Sequence, residues 1–274
     1  DSMRAFVCHS DDDGVTWSQP EETTEQVKKP EWRCWLPGPG VGIQLELGRH
    51  KGRLVIPCFI SAFGRDIGYD SFRNIHDVQS VYNLGSYLVF SDDHGKTWQR
   101  GKGVVWPWMT ECHVVELANG DLMLNIRQAN KKQKVRATAV SSDGGMTWSE
   151  PILNEDLVDP YCQGSFIRYT RVDVHDINRL LHSNAADPNH RRNMTVKLSY
   201  DEGKAWPVSR VIEPGNSQYS CLTVLPDMTI GLLYEAEPYK YIRFANFNLE
   251  WLTDGRDQVS QVPRHGLPEL TGGS

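Results

Sequence analysis

The chain of 274 residues writes one pattern four times, Ser-x-Asp-x-Gly-x-x-Trp. It stands at Ser10, Asp12, Gly14 and Trp17, and again at Ser91, Asp93, Gly95 and Trp98. The third copy is Ser141, Asp143, Gly145 and Trp148; the fourth is Ser199, Asp201, Gly203 and Trp206. An Asp in a tight turn accepts backbone N–H groups, and a Gly two residues on supplies the positive φ that closes it. The Trp then returns the chain to an apolar layer, with most of its ring expected to be buried. Each copy is therefore expected to be the corner between two antiparallel strands. The copies start 81, 50 and 58 residues apart, which suits four-stranded propeller blades carrying one such corner each.

The residues ahead of each copy carry the matching strand signals. Before the second come Val41–Leu47, a turn over 48–52, Arg53–Phe59, a long segment over 60–83 and Ser86–Phe90. That long segment by itself accounts for the interval of 81. Before the third, His113–Leu117 turns at Asn119-Gly120, a strong hairpin signal, into Leu122–Arg127, and Val135–Val140 follows. Before the fourth stand Ser165–Tyr169, Arg179–His182 and Asn193–Leu198. After it, Cys221–Leu225, Thr229–Tyr234 and Tyr241–Phe247 read as a further blade. Only Arg4–Cys8 precedes the first copy, so the first two strands of that blade are expected to be missing from this chain. The expectation is an all-β fold, one propeller domain over 1–274, with four blades and a partial one at the front.

Composition narrows the function classes. No run of 18 apolar residues exists, so no membrane-spanning helix is expected. A net charge of −6 gives no reason to expect nucleic acid as a partner, and attraction of an anion would have to come from local arginines. Cys8, Cys34, Cys58, Cys112, Cys162 and Cys221 are scattered singly, without zinc spacing, and most of them lie in apolar strand-like runs and read as buried thiols. No metal or cofactor is expected.

Strand direction alternates within a blade, so the repeats fall at one end of the strands and a second set of polar residues at the other. Glu111 begins a first strand and Arg127 ends its partner, either opposite or one step out of register. A one-step slip would place them on different faces. Tyr219 and Glu235 bear the same relation around the turn at 227–228. Gln163 precedes a first strand, Arg191 ends a loop, and Arg65, Asp66, Tyr69 and Arg73 lie in the long segment. Taken singly, Glu111 and Arg127 would be a cross-strand ion pair of about 0.2–1 kcal/mol, and Tyr219 a packing residue. Their coincidence at one rim favours a site made of Glu111, Arg127, Arg191 and Tyr219, but not of Arg65, Arg73 or Arg192.

These motifs resemble the sialidase superfamily, whose six-bladed propellers carry the same repeat, the Asp box. Glu111–Leu117 with Leu124–Arg127 resembles the segment holding a catalytic Glu and a substrate arginine. Arg191–Val196 is similar to the stretch with another substrate arginine, and Tyr219-Ser220 with Leu232–Glu235 to the nucleophile and the supporting glutamate that steadies the first arginine. Pro160–Ser165 and His182–Asn184 are similar to family segments too. The resemblance implies a retaining exo-α-sialidase that releases terminal sialic acids from glycoproteins, glycolipids or oligosaccharides. It implies Tyr219 as nucleophile, Glu111 as its base, Arg127 and Arg191 on the substrate carboxylate, and Glu235 as support. Gln163 and the segment 60–83 would contact the glycerol or N-acyl arms. The chemistry suits these types, because a neutral tyrosine avoids the repulsion that a carboxylate nucleophile would meet at an anionic sugar. Guanidinium forks bind a carboxylate with two parallel hydrogen bonds. The family pattern also places an arginine and an Asp acid/base upstream of the first box, just ahead of this chain. A trans-sialidase, or a sialic-acid-binding propeller without turnover, is the alternative. A secreted, periplasmic or lysosomal setting is expected from the resemblance alone.

Overall fold

A computed structural model of the chain describes residues 3–62, 84–130 and 132–260. Among them, β1 (Phe6–Val7) and β2 (Glu21–Glu22) form a hairpin around the first Asp box. A second sheet holds β3 (Trp32–Pro37), β4 (Ile43–Gln44), β5 (Leu54–Ala62), β6 (Leu84–Ser91) and β7 (Gln99–Arg100). A third runs β8 (Met109–Glu116), β9 (Leu122–Gln128), β10 (Val135–Ser141) and β11 (Ile152–Val158). The last continuous sheet holds β12 (Ser165–Thr170), β13 (Arg179–Ala185), β14 (Arg192–Ser199), β15 (Val208–Val224), β16 (Ile230–Ala236) and β17 (Tyr241–Phe247). It is two blades joined by β15, whose first half pairs with β14 and whose second half pairs with β16. Boxes two, three and four turn between β6 and β7, β10 and β11, and β14 and β15.

The blades are held by apolar layers between them. Trp32, Ile60 and Tyr87 of the second sheet pack with Ala5 and Val27 from the front of the chain. Val55, Leu88 and Phe90 pack on Val114, Leu124 and Ile126 of the next blade. Met123 and Leu157 meet Phe166, Leu180 and Trp206, and Leu181, Val196 and Leu198 meet Leu222, Leu232 and Tyr234. The sheets thus stack face to face around an arc, the β-propeller arrangement expected from the repeats. Cys34, Cys58, Cys112 and Cys162 lie buried in these layers, whereas Cys8 is exposed and Cys221 half-buried, all as free thiols.

Each box is closed as its chemistry requires. In the third, Asp143 Oδ1 accepts the N–H groups of Met146 and Thr147 at 3.0 and 2.9 Å, and Thr147 Oγ1 donates to Oδ2 at 2.6 Å. Ser141 Oγ donates to Asp143 and accepts from Gly145 N–H. Two successive residues take positive φ in every copy, as in Glu202 (62°) and Gly203 (83°), the conformation of a tight hairpin that matches strand twist. Asp143→Ala leaves these turn donors without their acceptor and is expected to lower stability by about 1–3 kcal/mol. Urea unfolding checks this; an unchanged midpoint would show that the turn closes without the carboxylate.

Two expectations are corrected. Trp98 and Trp206 are buried and Trp148 half-buried, but Trp17 is 61 % exposed. Its hairpin has only β1 and β2 beside it among the described residues, so no apolar layer covers the ring. The first strand of the second blade also begins at Trp32 instead of Val41. It runs as β3 and β4, both paired with β5, and is interrupted at Gly38–Gly42. Proline cannot donate to a ladder, so Pro37-Gly38-Pro39-Gly40 reads as loop in the sequence although strand flanks it on both sides.

Candidate active site

Glu111 and Arg127 lie at the end of β8 and β9 that is remote from the box. Leu122, at the other end of β9, pairs with both Glu116 and Ser141, where the hairpin and the box begin. The register question left open by the sequence is resolved by a β-bulge. Pairing runs Met109↔Gln128 and then Cys112↔Ile126, so Thr110 and Glu111 together oppose Arg127. Blade five repeats the device. Ser217↔Ala236 is followed by Ser220↔Tyr234, so Gln218 and Tyr219 together oppose Glu235. A bulge re-aims the side chains beside it, and here two bulges aim theirs at one point.

That point is a three-way contact across 108 residues of chain. The Tyr219 hydroxyl donates to Glu111 Oε1, and Arg127 Nη1 donates to Glu111 Oε2. Arg127 Nη1 also donates to the Tyr219 hydroxyl at 3.1 Å. The phenol therefore has an acceptor for its proton on one side and a cation against its oxygen on the other. Burial raises the Tyr219 pKa above that of a free tyrosine, against the lowering effect of Arg127, so the phenol is neutral near pH 7. Arg127 is 8 % exposed and stacks its guanidinium on the Tyr161 ring at 3.8 Å.

Arg191 completes the cluster. Its Nη2 donates to the Tyr161 carbonyl at 3.0 Å and its Nη1 to the Tyr239 hydroxyl at 2.9 Å, with its guanidinium 5.8 Å from the Tyr219 ring centre. Arg192 turns away to Asp187 at 2.6 Å. Glu235 accepts the Tyr219 main-chain N–H at 3.1 Å. Gln163 does not reach the open rim. It is 2 % exposed, and its amide is engaged with main chain beneath the site. Its side chain lies too deep for the arm contact expected of it. Arg65, Asp66, Tyr69 and Arg73 lie outside the described residues.

Sequence reasoning assigned no role to three further groups. Tyr161, in left-handed backbone at φ 67°, carries both arginines; its signal was its place in the family-like segment Pro160–Ser165, two residues before Gln163. Tyr239, exposed on the turn between β16 and β17, gave none. Beneath Tyr161, the buried Arg136 donates to Asp159 at 2.7 Å and to the Cys162 carbonyl at 2.8 Å, while Asp159 accepts Cys162 N–H at 2.8 Å. A charged pair inside the fold thus sets the loop that positions the cluster. Among the described residues no group of three or more His, Cys, Asp or Glu could hold a metal ion, and no helix is long and apolar enough to cross a membrane.

Comparison with known proteins bears on the family and the fold. Residues 1–234 match the BNR repeat-like domain family. A sialidase of Micromonospora viridifaciens is 39 % identical over 91 % of this chain and 36 % of its own length. Among solved structures, the Hadza microbial sialidase Hz136 is 34 % identical with a TM-score of 0.75, over 90 % of this chain and 44 % of that one. An intramolecular trans-sialidase from Ruminococcus gnavus, solved with oseltamivir carboxylate, is 27 % identical with a TM-score of 0.73, over 92 % and 52 %. The chain thus spans between about a third and a half of the length of these proteins. With four Asp boxes on successive blades and a family match over most of its length, the chain belongs to the BNR-repeat proteins of the sialidase superfamily.

Proposed function

We propose that residues 1–274 form part of one catalytic propeller, a retaining exo-α-sialidase acting on terminal sialic acids of glycoconjugates. The observation that carries this is the Tyr219 phenol held between Glu111 and Arg127. In the first displacement Glu111 takes the phenol proton as the Tyr219 oxygen bonds to the anomeric carbon. The bond to the leaving oxygen breaks, and that oxygen takes up a proton. By the family resemblance its donor is an Asp upstream of the first box, and none of the described residues is assigned that role. In the second displacement water takes the sialyl group from Tyr219 and gives its proton to the same upstream Asp, left deprotonated by the first step, while the phenol oxygen recovers its proton from Glu111. Arg127 opposes the charge growing on the phenol oxygen, and with Arg191 it faces the substrate carboxylate. Glu235 supports the Tyr219 backbone.

Release of methylumbelliferone from its α-sialoside by the full-length protein tests the reading; no release above a buffer control would refute it. Product analysis decides a second reading, favoured by the Ruminococcus gnavus neighbour. A hydrolase yields free sialic acid, whereas an intramolecular trans-sialidase yields an anhydro sugar. Arg191→Ala is expected to weaken binding of an unreactive sialic acid analogue by about 2–5 kcal/mol, if the carboxylate pair is desolvated. Calorimetry checks this, and unchanged affinity would remove Arg191 from carboxylate recognition.

A further inference from the structure

The polar groups directly under Tyr219 belong to Gln163 and its neighbours. The second half of β15 begins a blade, so its inner edge has no strand beside it, and its main-chain groups need other partners. Blade four supplies them from side chains. Ser165 Oγ accepts Leu222 N–H at 3.0 Å, and Ser183 Oγ lies 2.8 Å from Ser220 Oγ. Gln163 grips Ser220 at both ends: its Oε1 accepts Ser220 N–H at 2.9 Å and its Nε2 donates to the Ser220 carbonyl at 3.0 Å.

The other side of the Gln163 amide is anchored equally firmly. Its Nε2 lies 3.1 Å from the Pro39 carbonyl, which is also 3.0 Å from His113 Nε2. Gln163 Nε2 also lies 3.0 Å from His113 Nε2, so the Gln163 amide, the His113 ring and the Pro39 carbonyl meet in one buried cluster. Burial lowers the His113 pKa to about 4, which keeps the ring neutral. Gly40 lies so close that a Cβ there would stand 2.1 Å from His113 Cε1, so the loop can approach the ring only without a side chain. Gln163 therefore joins the loop after β3, strand β8, the entry to β12 and strand β15, which belong to four successive blades.

Tyr219 is where this matters most. It sits in the bulge, where pairing with β16 is interrupted, and its own N–H goes to a carboxylate instead of to the strand. The next residue, Ser220, is the point at which β15 is held on its inner side. We infer that Gln163 is a positioning residue, which acts through Ser220 to hold the Tyr219 hydroxyl against Glu111 and touches no substrate. The inference rests on the reading of Tyr219 as nucleophile.

Gln163→Met keeps the length of the side chain and removes both grips. In the full-length protein kcat is expected to fall by about 10²-fold. KM and the Kd of an unreactive sialic acid analogue should change less than threefold. A crystal structure of the variant, which needs no turnover, is expected to show the Tyr219 hydroxyl out of hydrogen-bond reach of Glu111. Gln163→Glu keeps the volume and the acceptor for Ser220 N–H, and should show a smaller loss in the same direction if the Met variant fails to fold. A lowered melting temperature with unchanged kcat would overturn the inference, as would a raised Kd with unchanged kcat, which would make Gln163 a substrate contact. Should the wild-type protein turn nothing over, the glycosidase reading fails separately. The variant structure then decides, a displaced hydroxyl supporting the positioning role and an unmoved one overturning it.

Discussion

Tyr219→Phe is expected to lower sialoside turnover by roughly 10³–10⁶-fold while leaving the affinity for an unreactive sialic acid analogue within a few-fold of wild type. The substitution removes the oxygen proposed to attack and its hydrogen bond to Glu111, and little else. The ring remains under Arg191, Arg127 keeps its bond to Glu111, and Glu235 still holds the main-chain N–H. The carboxylate recognition proposed for the two arginines should therefore be retained, and the loss should appear in kcat and not in Kd. Steady-state kinetics with a fluorogenic sialoside, paired with calorimetry of the analogue, separates the two. Near-normal turnover in the full-length variant would make Tyr219 a packing residue and the two-step mechanism wrong.

The second large effect concerns stability. Asp159→Asn leaves the Arg136 guanidinium in a fully buried place without its counter-charge, and is expected to cost about 3–5 kcal/mol. Neither side chain has water to turn to, since both are essentially inaccessible. The same change loosens the loop from Tyr161 to Gln163, because Asp159 and Arg136 hold Cys162 from its N–H and its carbonyl. Urea unfolding of the single variant measures the cost. Replacing both partners with apolar residues of similar volume should recover most of it, since removing the pair together leaves no charge unpaired. A single-variant cost under about 1 kcal/mol would mean that the pair contributes nothing to the fold.

Blade count, strand order and the end of the strands at which the polar side chains gather were readable from residues, because the Asp box is a local device. Its Ser, Asp, Gly and Trp make their turn within eight positions, whatever surrounds them. The strand over Tyr241–Phe247 was legible at its full length for a similar reason, being bounded by turn residues. The strand at Trp32–Pro37 was not, because Pro37 and the Gly-Pro run after it hide a ladder that only the partner strand reveals. The first box gave the right turn but the wrong burial. A box sequence specifies its hydrogen bonds, whereas the blade next to it specifies what covers its Trp.

The site divides in the same way. Residue types and strand positions singled out Glu111, Arg127, Arg191 and Tyr219, since alternating strands send their ends to alternate rims. Whether Glu111 and Arg127 share a face depended on one residue of register. Two bulges decide that register, and a bulge is a property of two paired strands that neither sequence states alone. Gln163 is the sharpest case. A polar residue at the mouth of a strand looks like a substrate contact from the sequence, and three other blades close over it to make it a clamp on Ser220. The chain by itself determined which turns and strands form, because those depend on neighbours a few positions away. Only the tertiary structure decided which polar groups face solvent and which are consumed by main chain, because burial is set by blades more than fifty residues apart in sequence.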